Sequence, residues 1–276
     1  MKNKGDGMTE FLLAAVFIGG LFLLFMMVRA AFANSVRVHV LYFNEYPSEV
    51  DDLNLFFISD IHRRTIHDSV INEVKGKADV VIIGGDLTEK GVPFSRVRDN
   101  LKKLSKIAPA YFIWGNNDYE VDLKQLEKIF QEFDVTVLKN EAAFLPGSNK
   151  KVVLVGTDFT DTSETMRIVL YSISHSAFRI VLSHNPELAK EVSEADNVPL
   201  ILSGHTHGGQ IRLFGFGPYE KGGIKKSPAT TLFVSNGYGT SLLPLRLGAP
   251  AETHLIIVKR NQGLSTTSMN HPASPS

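Results

Sequence analysis

The sequence predicts an α/β fold in which two sheets stack face to face and helices flank them. The stretch Val80-Val81-Ile82-Ile83-Gly84-Gly85-Asp86 puts four β-branched apolar residues in a row, as expected of a strand buried on both faces. Strands and amphipathic helices alternate up to about Phe133, the pattern of a sheet covered by helices. From Val135 the rhythm changes to short strands with little between them, consistent with a second sheet.

Phe11 to Val28 (FLLAAVFIGGLFLLFMMV) carries no charge. As a helix it is roughly 27 Å long, close to the hydrocarbon core of a bilayer. Its length exceeds a typical signal core, and Arg29 interrupts before the small-x-small pattern Ala31-Phe32-Ala33, so a retained anchor over residues 1–34 is expected. Lys2 and Lys4 on one side face Arg29 and Arg37 on the other. The expected location is the cell membrane, with the rest of the chain outside the cytoplasm.

After the anchor, 35–50 reads as an edge strand and linker, with Val36, Val38, Val40 and Tyr42 in alternation. The main domain is expected over 51–260. Leu53–Ser59 is its first strand, 69–77 a helix, and the Val80 strand follows. Val97, Leu101, Leu104 and Ile107 mark a helix that ends before Pro109. Ala110–Trp114 is a strand, and Asp122 caps a helix that presents Leu126, Ile129 and Phe130. In the second half, strands are expected at 135–138, 142–145, 151–155, 179–183, 199–203, 211–213, 231–235 and 254–259. Helices are expected at 163–174 and 187–192, and 261–276 reads as a disordered tail.

The chain has 276 residues, with 29 basic and 29 acidic side chains and no cysteine. A neutral chain argues against long nucleic acid as partner. Without thiolates, any metal here must be held by His, Asp, Glu or Asn. Such residues cluster after strands: Asp60, His62, Asp86, Asn116, His184, His205 and His207. This mixture of imidazole and oxygen donors suits Mn, Fe, Zn or Ni better than Ca or Mg. A carboxylate such as Asp86 can hold two cations, one on each oxygen. An Asp-x-His or His-x-His pair aims both side chains at one point only if the backbone turns sharply between them. All five segments can converge at one edge of the sheets.

In order and spacing, Asp60-x-His62, Gly85-Asp86, Gly115-Asn116-x-Asp118, His184 and Gly204-His205-x-His207 resemble the calcineurin-like metallophosphoesterases. His184-Asn185-Pro186 and Asn236–Gly248 are similar to its membrane-anchored or exported bacterial branch. The resemblance implies a four-layer α/β/β/α sandwich and two divalent metal ions, manganese first among them. It implies Asp60, His62, Asp86 and His207 on one metal, and Asp86, Asn116, His184 and His205 on the other. Two cations about 3.5–4 Å apart can hold a hydroxide poised to attack phosphorus.

One position departs from the family pattern. Where relatives carry a histidine able to protonate the leaving group, this chain has Asn117. An amide donates a hydrogen bond but is no general acid. Phosphodiesters or pyrophosphates, whose leaving groups can be better, are therefore the expected substrates. The anchor makes the substrate a membrane or envelope molecule, and some relatives act on a UDP-linked acylated sugar. A soluble-nucleotide phosphodiesterase and a metal-bound protein without turnover are the alternatives. Asn117 and Asp118 are the candidate catalytic positions, Asp118 by orienting a ligand. Arg63 and Arg64 are candidates to meet a substrate phosphate. His67, His175 and His254 match no motif, and 221–226 reads as a surface loop. Oligomeric state is left open.

Overall fold

The computed structural model describes residues 4–261. The tail expected from Asn261 onward falls, apart from that residue, outside the described residues. A long helix, α1 (Lys4–Ala31), precedes two six-stranded sheets. The first sheet comprises β1 (Ser35–Phe43), β2 (Leu53–Ile58), β3 (Val80–Ile83), β4 (Ala110–Phe112), β5 (Thr136–Val137) and β12 (Glu252–Arg260), in the order β1-β12-β2-β3-β4-β5. The second comprises β6 (Glu141–Phe144), β7 (Val152–Gly156), β8 (Phe178–Leu182), β9 (Leu200–Ser203), β10 (Gly223–Lys226) and β11 (Thr231–Val234), in the order β10-β11-β9-β8-β7-β6. Runs β2 to β5 and β7-β8-β9-β11 are parallel. Their carboxyl ends therefore lie along one rim of each sheet.

The two-residue period of strands sorts the apolar residues into layers. Leu55, Phe57, Val80 and Ile82 point inward, against Leu154, Ile180, Leu202 and Phe233 of the facing sheet. Their neighbours Phe56, Ile58, Val81 and Ile83 point outward, under α2 (Asp68–Val74), α3 (Phe94–Leu104) and α4 (Leu123–Glu132). On the far side, Val153, Val155, Val181 and Ile201 are covered by α5 (Ser163–Tyr171). The central strands of both sheets are thus buried on both faces, and the architecture is α/β/β/α. Asp122 caps α4 by accepting from Gln125 N, and His67 caps α2 by accepting from Ser69 N.

Some elements differ from expectation. β5 pairs with β4, so the stretch 135–138 completes the first sheet rather than starting the second. Ile211–Leu213 makes only isolated bridges, while Gly223–Lys226 is the edge strand β10 rather than a loop. Pro186–Lys190 is a 3₁₀ turn started by Asn185, with proline in its first turn.

Helix α1 offers apolar side chains all round, and none of its apolar window is buried in the rest of the protein. It is no core helix. Its carboxyl end is fastened to the domain: Arg246 N donates to Met27 O (3.1 Å) and Ala251 N to Ala30 O (3.0 Å). Arg64, expected at a substrate phosphate, is occupied here instead. Its guanidinium donates to Ala33 O (3.0 Å) and Asn34 Oδ1 (2.7 Å) and lies over the Tyr238 ring.

His254 is a buried core histidine, between His39 Nε2 (3.3 Å) and Ser235 Oγ (2.9 Å). Burial, then His39 and Arg37, hold its pKa well below the usual histidine range. The unfolded chain thus takes up a proton that the folded chain refuses as pH falls through about 6.5, and stability is lost on acidification. In urea titrations, His254→Gln should flatten the loss between neutral and mildly acidic pH by up to about 1 kcal/mol per pH unit. Identical slopes for the variant and wild type would contradict this.

Candidate metal centre

Five strands deliver the candidate residues to one rim. Asp60 and His62 follow β2, Asp86 follows β3, Asn116 follows β4, His184 follows β8, and His205 and His207 follow β9. The sharp turns needed to aim alternate residues together are present. Asp60, His62, Asp86, His205 and His207 all have left-handed backbone, with φ between 50° and 72°. For non-glycine residues this costs roughly 1–2 kcal/mol each, strain characteristic of functional sites. The packing is tight: a Cβ on Gly115 would lie 2.3 Å from Asp86 Oδ1, and one on Gly85 would lie 2.4 Å from His184 Nδ1.

Ligand atoms of Asp60, His62 and His207 lie within 4.8 Å of one another, and so do those of Asp60, Asp86 and His184. His62 Nε2 is 3.1 Å from His207 Nε2. Asp86 Oδ2 stands 3.3 Å from His184 Nε2 and 3.7 Å from His62 Nε2. Its Oδ1 accepts from Asn117 N at 2.8 Å. Oδ2 thus faces both imidazoles, while Oδ1 accepts one hydrogen bond. Asp60 Oδ1 reaches His207 Nε2 at 3.6 Å and accepts from His205 N at 3.0 Å. Asn116, Asn117 and His205 line, with His62, Asp86 and His207, a cavity of about 290 Å³. Asp60 and His184 lie fully buried. His205 is half-buried, its ring centroid 5.1 Å from that of His184 and 5.4 Å from that of Phe159.

These residues fit a divalent metal site. Asp60 Oδ2, His184 Nε2 and Asn116 Oδ1 are buried without a hydrogen-bond partner, a costly state for polar atoms unless a ligand completes them. His184 Nδ1 donates to Gly84 O at 2.7 Å, which leaves the Nε2 lone pair directed at the cluster. The charges agree. Burial opposes a proton on His184, but Asp86 and Asp60 outweigh it and push its pKa up to about 9. Burial likewise opposes a charge on His62, and Glu89, Asp86 and Asp60 more than offset it. Burial would raise Asp86; His184, His62 and the Asn117 amide pull it down to about 2 instead. The buried carboxylates thus demand positive charge. Burial lowers His207 to about 4 and also lowers His205.

Asp118 does not reach the cavity, although its number stands among the candidate catalytic positions. Its Oδ2 accepts from Asp86 N (2.7 Å) and Gly115 N (2.9 Å), and its Oδ1 from Thr88 N (3.0 Å). It positions the backbone that carries Asp86. Asn117 lines the cavity, and its Oδ1 accepts from Asn116 Nδ2, which leaves the Asn117 amide group as a donor. Arg63 is largely exposed and pairs with Glu89. Glu89 was missed from sequence, whereas Arg246 stood out only as part of a late loop that resembles the family's and could shape the site. Glu89 Oε2 lies 2.9 Å from His62 Nδ1, where it can orient that ring. Arg246, fully buried, donates to Gly239 O and Ala249 O and lies 3.1 Å from His207 Nδ1. Glu89 follows Asp86 by three residues, which was the one available signal.

The calcineurin-like phosphoesterase family model matches residues 53–209. The chain belongs to that family. It is accordingly a metallophosphoesterase, a hydrolase of a family that uses divalent metals, and the expectations of family, fold and enzyme class are borne out. Among curated relatives, it is 40% identical to the Bacillus subtilis protein YpbG over 83% of this chain and 90% of that one. It is 29% identical to Escherichia coli phosphodiesterase YaeI, over 73% and 80% of the two chains. A zebrafish (Danio rerio) transmembrane protein with metallophosphoesterase domain is 29% identical over 78% of this metallophosphoesterase, which spans only 55% of that protein.

Proposed function

We propose that this metallophosphoesterase is a membrane-anchored enzyme with a dinuclear centre that hydrolyses phosphodiester or diphosphate bonds of a membrane- or envelope-associated substrate. The observation that carries this reading is Asp86 Oδ2, placed between His62 and His184 beside buried ligand atoms that lack partners. Asp60, His62, Asp86 and His207 would hold one cation, and Asp86, Asn116, His184 and His205 the other. When bound, such a pair supplies Lewis acidity toward phosphoryl oxygens and lowers the pKa of a water. Manganese suits the donor set, with iron, zinc or nickel as substitutes.

The chain's own residues do the rest. The Gly84 carbonyl holds His184 in orientation, and the Glu89 carboxylate faces His62 Nδ1 at 2.9 Å. Asp118 fixes the Asp86 and Gly115 backbone. Asn117 donates to a phosphoryl oxygen but has no proton to give a leaving group, which favours esters that leave without one. Arg63, freed from Glu89, would meet a substrate phosphate. Helix α1 would anchor the domain at the membrane, on its extracytoplasmic side; the transmembrane relative is consistent with the anchor.

The test uses the full chain in detergent, loaded with Mn²⁺, and compares bis-p-nitrophenyl phosphate with p-nitrophenyl phosphate. Diester kcat/KM should exceed the monoester value by about tenfold or more; both esters release p-nitrophenolate, which leaves without a general acid, so the ratio reads selectivity for the diester. Bound metal with turnover of neither ester would favour a binding protein instead.

A further inference from the structure

Two joined loops, one of them on the cavity wall, expose apolar side chains that the chemistry above does not use. Leu213 and Phe216 exchange two backbone hydrogen bonds of 2.9 Å and close a tight hairpin. Its tip, Phe214-Gly215, has positive φ at both residues. Phe214 is 100% exposed and Phe216 81%. Beside it, Leu242 is 92% exposed and Leu243 is exposed as well. The two loops form one unit. Gln210 Nε2 donates to Ser241 O and Leu243 O, and Arg212 N donates to Leu247 O at 2.8 Å. The Arg212 guanidinium donates to Gly208 O and Gly215 O, which ties the hairpin to the residue after His207. Gln210, Ser241 and Leu242 also line the metal cavity.

The position of this apolar rim relative to α1 says what covers it. Arg246 N, three residues beyond Leu243, donates to Met27 O, and Met27 lies inside the uncharged stretch that ends at Val28. One residue of helix is about 1.5 Å, so the second loop touches the helix at the edge of the hydrocarbon layer if α1 spans a bilayer. The interfacial layer beyond that edge is roughly 5–7 Å deep, within reach of loops so placed. Contiguous exposed Phe and Leu side chains at that depth are suited to insertion among lipid headgroups and upper acyl chains.

We propose that the 213–216 hairpin and the 242–243 turn insert into the bilayer that α1 enters, and that the cavity takes phosphodiester amphiphiles presented at that surface. This rests on the membrane and phosphoesterase readings above, and narrows the substrate to one whose phosphorus sits at headgroup level beside a lipid-embedded apolar part.

The full chain would be reconstituted into vesicles of phosphatidylcholine and phosphatidylglycerol whose acyl chains are brominated near the headgroup. The single native tryptophan, Trp114, is buried and provides the background. Phe214→Trp should add emission that brominated lipid quenches and unbrominated lipid does not. Emission that is equal in both vesicles would overturn the proposal, and a concentration-dependent dimer in that case would assign the rim to a second copy. For function, Phe214→Ser/Phe216→Ser should leave turnover of soluble bis-p-nitrophenyl phosphate unchanged. It should lower turnover of a vesicle-embedded hexadecyl p-nitrophenyl phosphodiester by about tenfold, mainly through KM. Equal loss on both substrates, or none on either, would overturn it. Failure of the wild type on the soluble diester would sink the phosphoesterase reading separately, without changing the quenching result.

Discussion

Asp86→Ala should lower kcat/KM for a diester by about 10³-fold or more and leave the protein unable to hold its full metal complement. Both oxygens of this side chain have partners in the cluster. Oδ1 accepts from Asn117 N, and Oδ2 alone faces both His62 and His184. Its backbone has partners too, since Asp86 N donates to Asp118 and Asp86 O accepts from His62 N at 3.1 Å. Asp86→Asn separates shape from charge. It can keep an oxygen for the Asn117 amide while removing the negative charge that two cations would share. Both variants should fold, and both should fail in turnover and in metal content measured on the same samples. A variant within threefold of wild type, far short of the 10³-fold expected, would remove the bridge from the account.

Asp118→Ala should be the most destabilising change near the cavity. It strips the acceptor from three buried amides, those of Asp86, Thr88 and Gly115. An unsatisfied buried donor costs about 1–3 kcal/mol, so the sum is roughly 3 kcal/mol or more. For a domain of this size that is a fall in Tm of roughly 6–12 °C. Burial and the Asp86 charge push the Asp118 pKa up to about 7, against the pull of the Gly115 and Thr88 amides. Asp118→Asn keeps an acceptor and should recover part of the loss. Thermal unfolding of the three proteins checks this; a Tm for Asp118→Ala within about 2 °C of wild type would show that these amides find other partners.

The layers were legible because burial on both faces leaves its mark on the central strands: Val80 to Ile83 has no polar residue to hide. The cluster was legible because its members follow strands, and parallel strands bring their carboxyl ends together whatever the loops do. What was lost depends on contacts between residues distant in sequence. Arg64 beside Arg63 reads as a phosphate contact, yet it stacks on Tyr238, 174 positions away, and serves the end of α1. The edge β5 is two residues long, too short for a pattern of its own, so its sheet is decided by the partner β4. Glu89 sits in the turn after Asp86 with no periodicity around it, and only the fold brings it to His62. The hydrogen bond from the Asn117 amide to Asp86 Oδ1 could not be read either, because the two residues lie 31 positions apart.

The most direct test of the account is to count and identify the bound metal. The full chain, stripped with chelator and titrated with Mn²⁺, should bind two ions per chain, and its electron paramagnetic resonance should carry the signature of exchange-coupled ions, as neighbours about 3.5–4 Å apart require. The coupled signal should disappear in Asp86→Ala. A single bound ion with the spectrum of isolated Mn²⁺, unchanged by that substitution, would contradict the dinuclear centre on which the proposed hydrolysis depends.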